Sequence, residues 1–311
     1  MRQLLEILKL AERTLAERGV ERPRLEAEHL LAHVLGRSRL DLYLEFDRPL
    51  DEPELAPFRE LLRKRRQRVP CQYLIGETEF YGLPFAIDER VMVPRPETEH
   101  LVEAALERLK GPEAPGEALA YDVGTGSGCV AVAIAHEAPG CRVIASDSSA
   151  AALEVARANA ERNGVAGRIT FLEGDLFEPH ARHGVGPADV GAADTGPADM
   201  RAADMIVSNP PYVSHDEWDG LPDEVRLYEP REALDGGPDG LAVIRRIVAG
   251  CPGHLKPGGW LLLEVGHTQA EAVTQLMAAT GALGKTETVR DYGGAERIII
   301  GQKAKGPEND G

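Results

Sequence analysis

The sequence predicts an α/β protein, a mostly parallel sheet wound with helices and preceded by a small all-α domain. Three observations carry that expectation. From about residue 119, apolar strand-like runs alternate with helical stretches, as in a sheet whose crossovers are helices. The first run, residues 119–123, passes straight into Gly124-Thr125-Gly126-Ser127-Gly128, a turn that lets backbone approach a ligand at a strand's carboxyl end. Before residue 73, by contrast, apolar residues recur at helical spacing.

A chain of 311 residues holds about two domains by the usual size prior. With 43% hydrophobic and 28% charged residues, and no apolar run near the roughly 20 residues that span a bilayer, a soluble globular protein is expected, not a membrane one. Arg2, Glu6 and Lys9 among the leucines of the first turns do not make a secretory signal, so a cytoplasmic location is expected. Cys71, Cys129, Cys141 and Cys251 form no Cys-x-x-Cys pair and read as buried, reduced thiols. The histidines lack metal spacing, and His180 with His183 sits beside Gly and Pro, so no metal is expected. A net charge of −16 opposes phosphate neutralisation over a broad surface, which disfavours stable nucleic-acid binding.

Leu4, Leu5, Leu8, Ala11 and Leu15 share one helical face. Pro23 opens a second helix with Ala27, Leu30, Leu31 and Val34, stopped by Gly36, and a third runs over about 53–68. The cations of 63–68 suit a solvated helix C-terminus, with a contact to RNA or an acidic partner as the alternative. The helical domain is expected to span 1–72. Over 73–94 the period falls to two. Residues 79–81, 82–84, 85–87 and 91–93 read as short strands around turns, a β-hairpin linker. Then Pro94-Arg95-Pro96-Glu97-Thr98-Glu99 opens a helix carrying Leu101, Val102, Ala105 and Leu106. Capping explains much of that hexapeptide, but less readily Arg95 between two prolines.

The second, larger domain is expected over 95–301. After the glycine-rich turn comes a helix over 130–136, then a strand over 142–145 ending in Ser146-Asp147. Asp147 lies near the ~20-residue offset at which an acid reaches ribose hydroxyls. Asp122, just before the glycines, would repel a pyrophosphate and attract a cation. A cofactor with an ammonium and a sulfonium, S-adenosylmethionine, fits two carboxylates better than NAD or ATP; a turn-capping Asp is the bland reading of Asp122. A strand over 169–172 leads to Asp175, Leu176 and Phe177. Asp175 either accepts from an adenine amino group or caps the turn.

Residues of about 180–203 carry a tandem duplication, Gly186-Pro187-Ala188-Asp189 repeated as Gly196-Pro197-Ala198-Asp199, and read as a flexible surface insert. Next comes the stretch on which the chemistry rests, Ser208-Asn209-Pro210-Pro211-Tyr212 after the apolar run 205–207. Two prolines supply no N–H, so this loop offers acceptors and almost no donors. It suits a planar NH2 group, which would give one hydrogen to the Asn209 side-chain oxygen and the other to the Pro210 carbonyl, with the Tyr212 ring on its flat face. A long turn over 229–240, a helix over 241–249, a strand over 260–265, a helix over 269–279 and strands near 287–290 and 297–300 complete the sheet. Residues 302–311 are expected to be a disordered tail.

The chain closely resembles the peptide chain release factor N(5)-glutamine methyltransferases, the PrmC/HemK family, over almost its whole length. The resemblance rests on Gln72-Tyr73-Leu74-Ile75-Gly76, Val93-Pro94-Arg95-Pro96-Glu97-Thr98-Glu99, the run Asp122 to Gly128, Ser208-Asn209-Pro210-Pro211-Tyr212, Ala233-Leu234-Asp235-Gly236-Gly237 and the ending 291–301. It implies a helical substrate-docking domain, a hairpin linker and a class I S-adenosylmethionine-dependent methyltransferase domain with a seven-stranded sheet whose seventh strand is antiparallel. It also implies that Asp122, Gly124, Thr125, Gly126, Ser127, Gly128, Asp147, Asp175, Leu176 and Asn209 hold S-adenosylmethionine. Asn209, Pro210, Pro211 and Tyr212, with Arg95 and Glu97, would hold the glutamine of a release factor's GGQ motif, and Asn209, Pro210 and Tyr212 would carry the transfer. Asn-Pro-Pro-Tyr is shared with ribosomal-protein glutamine methyltransferases and DNA adenine methyltransferases, the alternative readings. The Arg-Pro-Glu-Thr-Glu run favours release factors. A non-catalytic cofactor-binding module would have no need of Asn209 and Tyr212.

Overall fold

The computed structural model describes residues 3–111, 115–179 and 202–305. The chain divides into two compact units, one of Met1–Thr78, Ile87–Glu89 and Leu221–Glu229, the other of Glu79–Ala86, Arg90–Gly220 and Pro230–Gly311. The expected 180–203 insert falls almost wholly outside the described residues.

The first unit is helical: α1 (Leu4–Ala16), α2 (Pro23–Leu35), α3 (Arg39–Leu44), α4 (Glu52–Arg66) and α5 (Cys71–Ile75). Leu4, Leu8, Ala11 and Leu15 of α1 and Ala27, Leu30 and Leu31 of α2 are buried in one core with Phe58. α2 stops where Gly36 takes φ 59°, a left-handed C-cap that glycine adopts without strain. α4 starts at Asp51, whose side chain and that of Glu54 satisfy each other's backbone N–H. The basic run is solvated only in part, with Arg63, Lys64 and Arg66 exposed. Arg65 is 2% exposed and pairs with Glu26 and, at 3.2 Å, with Glu224; Arg68 pairs with Glu224, and Arg63 with Glu60. These ion pairs, and the Tyr228 hydroxyl donating to the Gln67 carbonyl at 2.7 Å, bring Leu221–Glu229 with its helix α9 (Asp223–Tyr228) into the helical unit. Leu221–Glu229 lies outside the 1–72 expected for the helical unit, because side chains 156 to 161 residues apart in sequence have no local signature.

β1 (Glu77–Phe80) and β2 (Leu83–Ala86) form a hairpin. Tyr81 at φ 52° and Gly82 at φ 71° make the two-residue turn whose twist matches the strands. Residues 91–93 are not a strand. Val91 and Val93 are buried, and the alternation that suggested a strand is that of an extended segment entering Pro94 with no ladder partner.

The second unit holds a seven-stranded sheet made of β3 (Ala118–Val123), β4 (Cys141–Asp147), β5 (Ile169–Glu173), β6 (Ala203–Ser208), β7 (Leu255–Glu264), β8 (Leu283–Arg290) and β9 (Glu296–Lys303), in the order β5-β4-β3-β6-β7-β9-β8. The β3–β4, β3–β6, β4–β5 and β6–β7 pairs are parallel; β9 runs antiparallel to β7 and β8, as expected of the seventh strand. Successive residues alternate between two cores. Ala120, Met205, Val207, Ile298 and Ile300 face α6 (Glu99–Leu109) and α7 (Cys129–Glu137). Tyr121, Val123, Ile206, Leu261, Leu263 and Ile299 face α10 (Ala242–Gly250) and α11 (Ala270–Ala279). α8 (Ala150–Arg162) connects β4 to β5. The tail begins later than expected, since Gln302 and Lys303 still pair with β7 and β8. All four cysteines are buried and free. Among the described residues no helix is long and apolar enough to cross a membrane.

Candidate active site

The order of strands reverses at β3, whose neighbours are β4 and β6, and in open α/β sheets ligands bind at the carboxyl ends beside such a reversal. After Val123 the chain turns through Gly124, Gly126 and Gly128 at φ 77°, 55° and 80°, conformations that side chains rarely adopt. Gly128 caps α7, and a Cβ on it would lie 3.0 Å from the Ala156 Cβ of α8. Asp122, 1% exposed, accepts on Oδ2 from the Thr125 hydroxyl at 2.6 Å and from the Ala131 amide in the first turn of α7 at 3.1 Å. It therefore caps the turn and also lines the cavity above it. Burial pushes its carboxyl up to about 7, against the Thr125 and Ala131 hydrogen bonds that lower it.

The end of β4 holds the glycine turn from the other side. The Ser146 carbonyl accepts from Gly124 and Thr125 at 2.8 and 2.9 Å, and Asp147 accepts from the Gly126 amide at 2.8 Å and the Ser149 amide at 2.9 Å. Burial raises the Asp147 carboxyl too, opposed by the hydrogen bonds from Ser149 and Gly126. After β5, Gly174 leaves no room for a Cβ, which would meet the Pro179 ring at 2.8 Å. Leu176 sits at φ 49°, a strained position for a branched side chain, at the wall of the same cavity. Asp175 has a partner that neither sequence reading includes: its Oδ2 accepts from Arg246 Nη2 at 2.5 Å, a cation that also lines the cavity.

On the far wall stands Asn209, just beyond β6. The Ser208 hydroxyl donates to the Val123 carbonyl at 2.6 Å and ties β6 to the glycine strand. Asn209 Nδ2 donates to Thr98 Oγ1 at 3.0 Å, so its Oδ1 is left as the acceptor. No donor among the described residues reaches the Pro210 carbonyl. The Tyr212 hydroxyl donates to Glu264 Oε1 at 3.4 Å, and burial raises its pKa, with the Glu264 charge adding to the effect. Gln269 clamps the loop from behind, donating to the Tyr212 carbonyl at 2.9 Å and the Gly240 carbonyl at 3.2 Å. Val213 pairs with Leu234 and Gly236, which explains why Asp235-Gly236-Gly237 accompanies the Asn-Pro-Pro-Tyr loop: a Cβ on Gly236 would lie 2.6 Å from the Gly240 carbonyl.

Of the residues read from the sequence, Asp122, Gly124, Thr125, Gly126, Ser127, Asp147, Asp175, Leu176, Asn209 and Pro211 line one cavity. Gly128, Pro210, Tyr212, Arg95 and Glu97 do not line it. Arg95 and Glu97 lie near enough to Tyr212 for their charges to act on it in opposite senses. Sequence reasoning missed Thr98, Arg246, Glu264 and Gln269. The available signal was Glu264, a lone carboxylate closing the run Leu261-Leu262-Leu263 of a buried strand.

Residues 6–76 match the family model of the PrmC N-terminal domain, and residues 120–190 that of a methyltransferase domain. The release factor glutamine methyltransferase of Geobacter sulfurreducens is 43% identical over 288 residues, 93% of this chain and 92% of that protein. That of Chlorobaculum tepidum is 43% identical over 297 residues, 94% and 95% of the two chains. The crystal structure of the hMettl16 catalytic domain, at 13% identity, matches with a TM-score of 0.53 over 83% of this chain and 84% of that one, a likeness of fold alone. With identity of this size over more than nine-tenths of its length, the chain belongs to the release factor glutamine methyltransferase family.

Proposed function

We propose that this protein transfers the methyl group of S-adenosylmethionine to the side-chain amide nitrogen of the glutamine in the GGQ motif of peptide chain release factors. The cavity's donor set supports that cofactor. Two carboxyls, buried Asp122 and half-buried Asp147, gain from a neighbouring cation or from hydroxyl donors, and left-handed glycines let a ligand lie against backbone. Asp122 and Gly124 to Gly128 would hold the amino-acid end, Asp147 the ribose and Leu176 the adenine, with the Asp175–Arg246 pair at the wall. When bound, the cofactor supplies an electrophilic methyl group on a sulfonium.

The observation that carries the reading is the Asn209 amide, turned by Thr98 so that an acceptor stands open beside those carboxylates. A carboxamide nitrogen is a poor nucleophile because its lone pair is delocalised. Asn209 Oδ1 and the Pro210 carbonyl, accepting its two hydrogens, orient it and raise its electron density; placing it about 3–3.5 Å from the reacting carbon supplies the proximity. Pro211 and Tyr212 shape the loop, and Arg95 and Glu97 contact the release factor. No general base is needed, since the N-methylated, still-protonated amide is strongly acidic and loses its proton to solvent. Incubation with methyl-labelled cofactor and, separately, a release factor, a ribosomal protein and DNA tests this. Label on the release factor alone is expected, and label on either of the others in its place overturns the reading.

A further inference from the structure

β7 ends in a charge where its other inward residues are leucines. Glu264 is 1% exposed, and Leu261, Leu262, Leu263 and Val265 around it are wholly buried. Removing a carboxylate from water is costly, and an apolar residue there would be no less stable. The nearby cation Arg297 is already engaged by Asp291 at 3.2 Å and the Val265 carbonyl at 3.3 Å. Both groups that hydrogen-bond Glu264, the Thr98 hydroxyl and the Tyr212 hydroxyl, belong to residues that shape the Asn209 site. Oε2 has no partner among the described residues.

We infer that Glu264 is a positioning residue for the methyl acceptor, fixing through Thr98 which face of the Asn209 amide meets the substrate and through the Tyr212 hydroxyl where that ring stands. This rests on the reading that Asn209 holds the substrate carboxamide. An ionised carboxylate only accepts, so both hydroxyls must point their hydrogens at Glu264. The Thr98 oxygen then presents lone pairs to Asn209 Nδ2, as observed at 3.0 Å, and Asn209 Oδ1 is left for the substrate N–H. A protonated Glu264 carries one O–H, which it can donate to the Thr98 hydroxyl. Thr98 can then point its hydrogen at Asn209, the amide turns over, and its NH2 opposes the substrate NH2.

The charged and titratable groups facing Glu264 are Glu97 from the 3-10 turn Pro96–Thr98, Arg297 from β9, Tyr212 from the loop and Cys129 at the head of α7, beside the neutral Thr98 hydroxyl. Burial raises its carboxyl to about 7, with Glu97 adding and Thr98, Arg297 and Tyr212 opposing. Turnover at saturating cofactor should therefore fall on the acid side of about pH 7.

The test compares wild type, Glu264→Gln, Thr98→Val and the double variant with a release factor as substrate, measuring kcat at saturating S-adenosylmethionine from pH 5.5 to 8.5 and cofactor Kd by calorimetry. Glu264→Gln should lower kcat roughly 10- to 100-fold, as misplacement of a reacting group does, flatten the acid limb and leave cofactor Kd within about twofold. Thr98→Val should give a similar loss, and the double variant little more than either alone. Wild-type kcat and acid limb in Glu264→Gln, or losses that multiply in the double variant, overturn the inference. If Glu264→Gln does not fold, Thr98→Val alone decides: wild-type kcat and acid limb overturn the relay, and loss of both at unchanged Kd supports it. A wild-type protein that fails to methylate any release factor sinks the functional reading instead, a different outcome from a wild type that turns over and a Glu264→Gln that matches it.

Discussion

Asp122 has two tasks in the structure, capping α7 through Oδ2 and offering a carboxylate to the cavity. Burial raises its carboxyl from the ordinary range near 4 to about 7. The sign follows directly: in the ligand-free protein its contribution to stability is full below about pH 4 and is lost as pH rises through about 7. A bound cation favours the ionised form, so cofactor affinity should fall below about pH 7, by at most about tenfold per unit. Urea unfolding of the ligand-free protein across pH checks the first statement, and calorimetric titration with S-adenosylmethionine the second. Asp122→Asn should bind more weakly at pH 8 and lose the acid-side dependence; an unchanged pH profile would count against the role. Much of this site was legible because it is local. Asp122, the three glycines and Asp147 announce themselves by spacing along two adjacent strands, and Asn209 by the prolines after it. Glu264 and Gln269 reach Tyr212 from 52 and 57 positions away, and no short-range pattern marks such a pairing. Arg246, the partner of Asp175, lies 71 positions away on another helix, so that ion pair has no local signature either.

The glycine turn works because three chain segments share one small volume. Gly128 is its tightest point, with φ 80° and Ala156 of α8 where a Cβ would go. Gly128→Ala should cost about 1–3 kcal/mol, from the left-handed backbone and the overpacked α7–α8 contact. Urea unfolding measures it, and a change below about 0.5 kcal/mol, the range of surface substitutions, would show the contact to be looser than drawn. The strands and helices around this turn could be read from periodicity because burial on one face or both writes directly into the sequence. Residues 91–93 misled for the same reason: Val91 and Val93 alternate in burial without any neighbouring strand. The position of β9 between β7 and β8, antiparallel to both, depends on pairing order, which alternating apolar residues do not encode.

Across the whole chain, sequence order and compactness part company. Leu221–Glu229 follows the Asn-Pro-Pro-Tyr loop in the chain yet folds with the helical unit, held by Arg65, Arg68 and Gln67. Breaking a buried ion pair from one side leaves charge uncompensated, so Arg65→Ala should destabilise by about 3–5 kcal/mol, seen as a lowered Tm. A Tm within about 2 °C of wild type would contradict that placement of Arg65. The chain's −16 charge and its family membership point the same way, toward a protein substrate in preference to a nucleic-acid one. The proposed grip of Asn209 on a carboxamide carries the rest. Its most direct test is tandem mass spectrometry of a release factor incubated with cofactor and either wild type or Asn209→Ala, with cofactor Kd measured for both. Methyl is expected on the GGQ glutamine side chain with wild type, at least roughly a thousandfold less with Asn209→Ala, and closely similar Kd values. Equal methylation by the variant, or methyl on another residue, would contradict it.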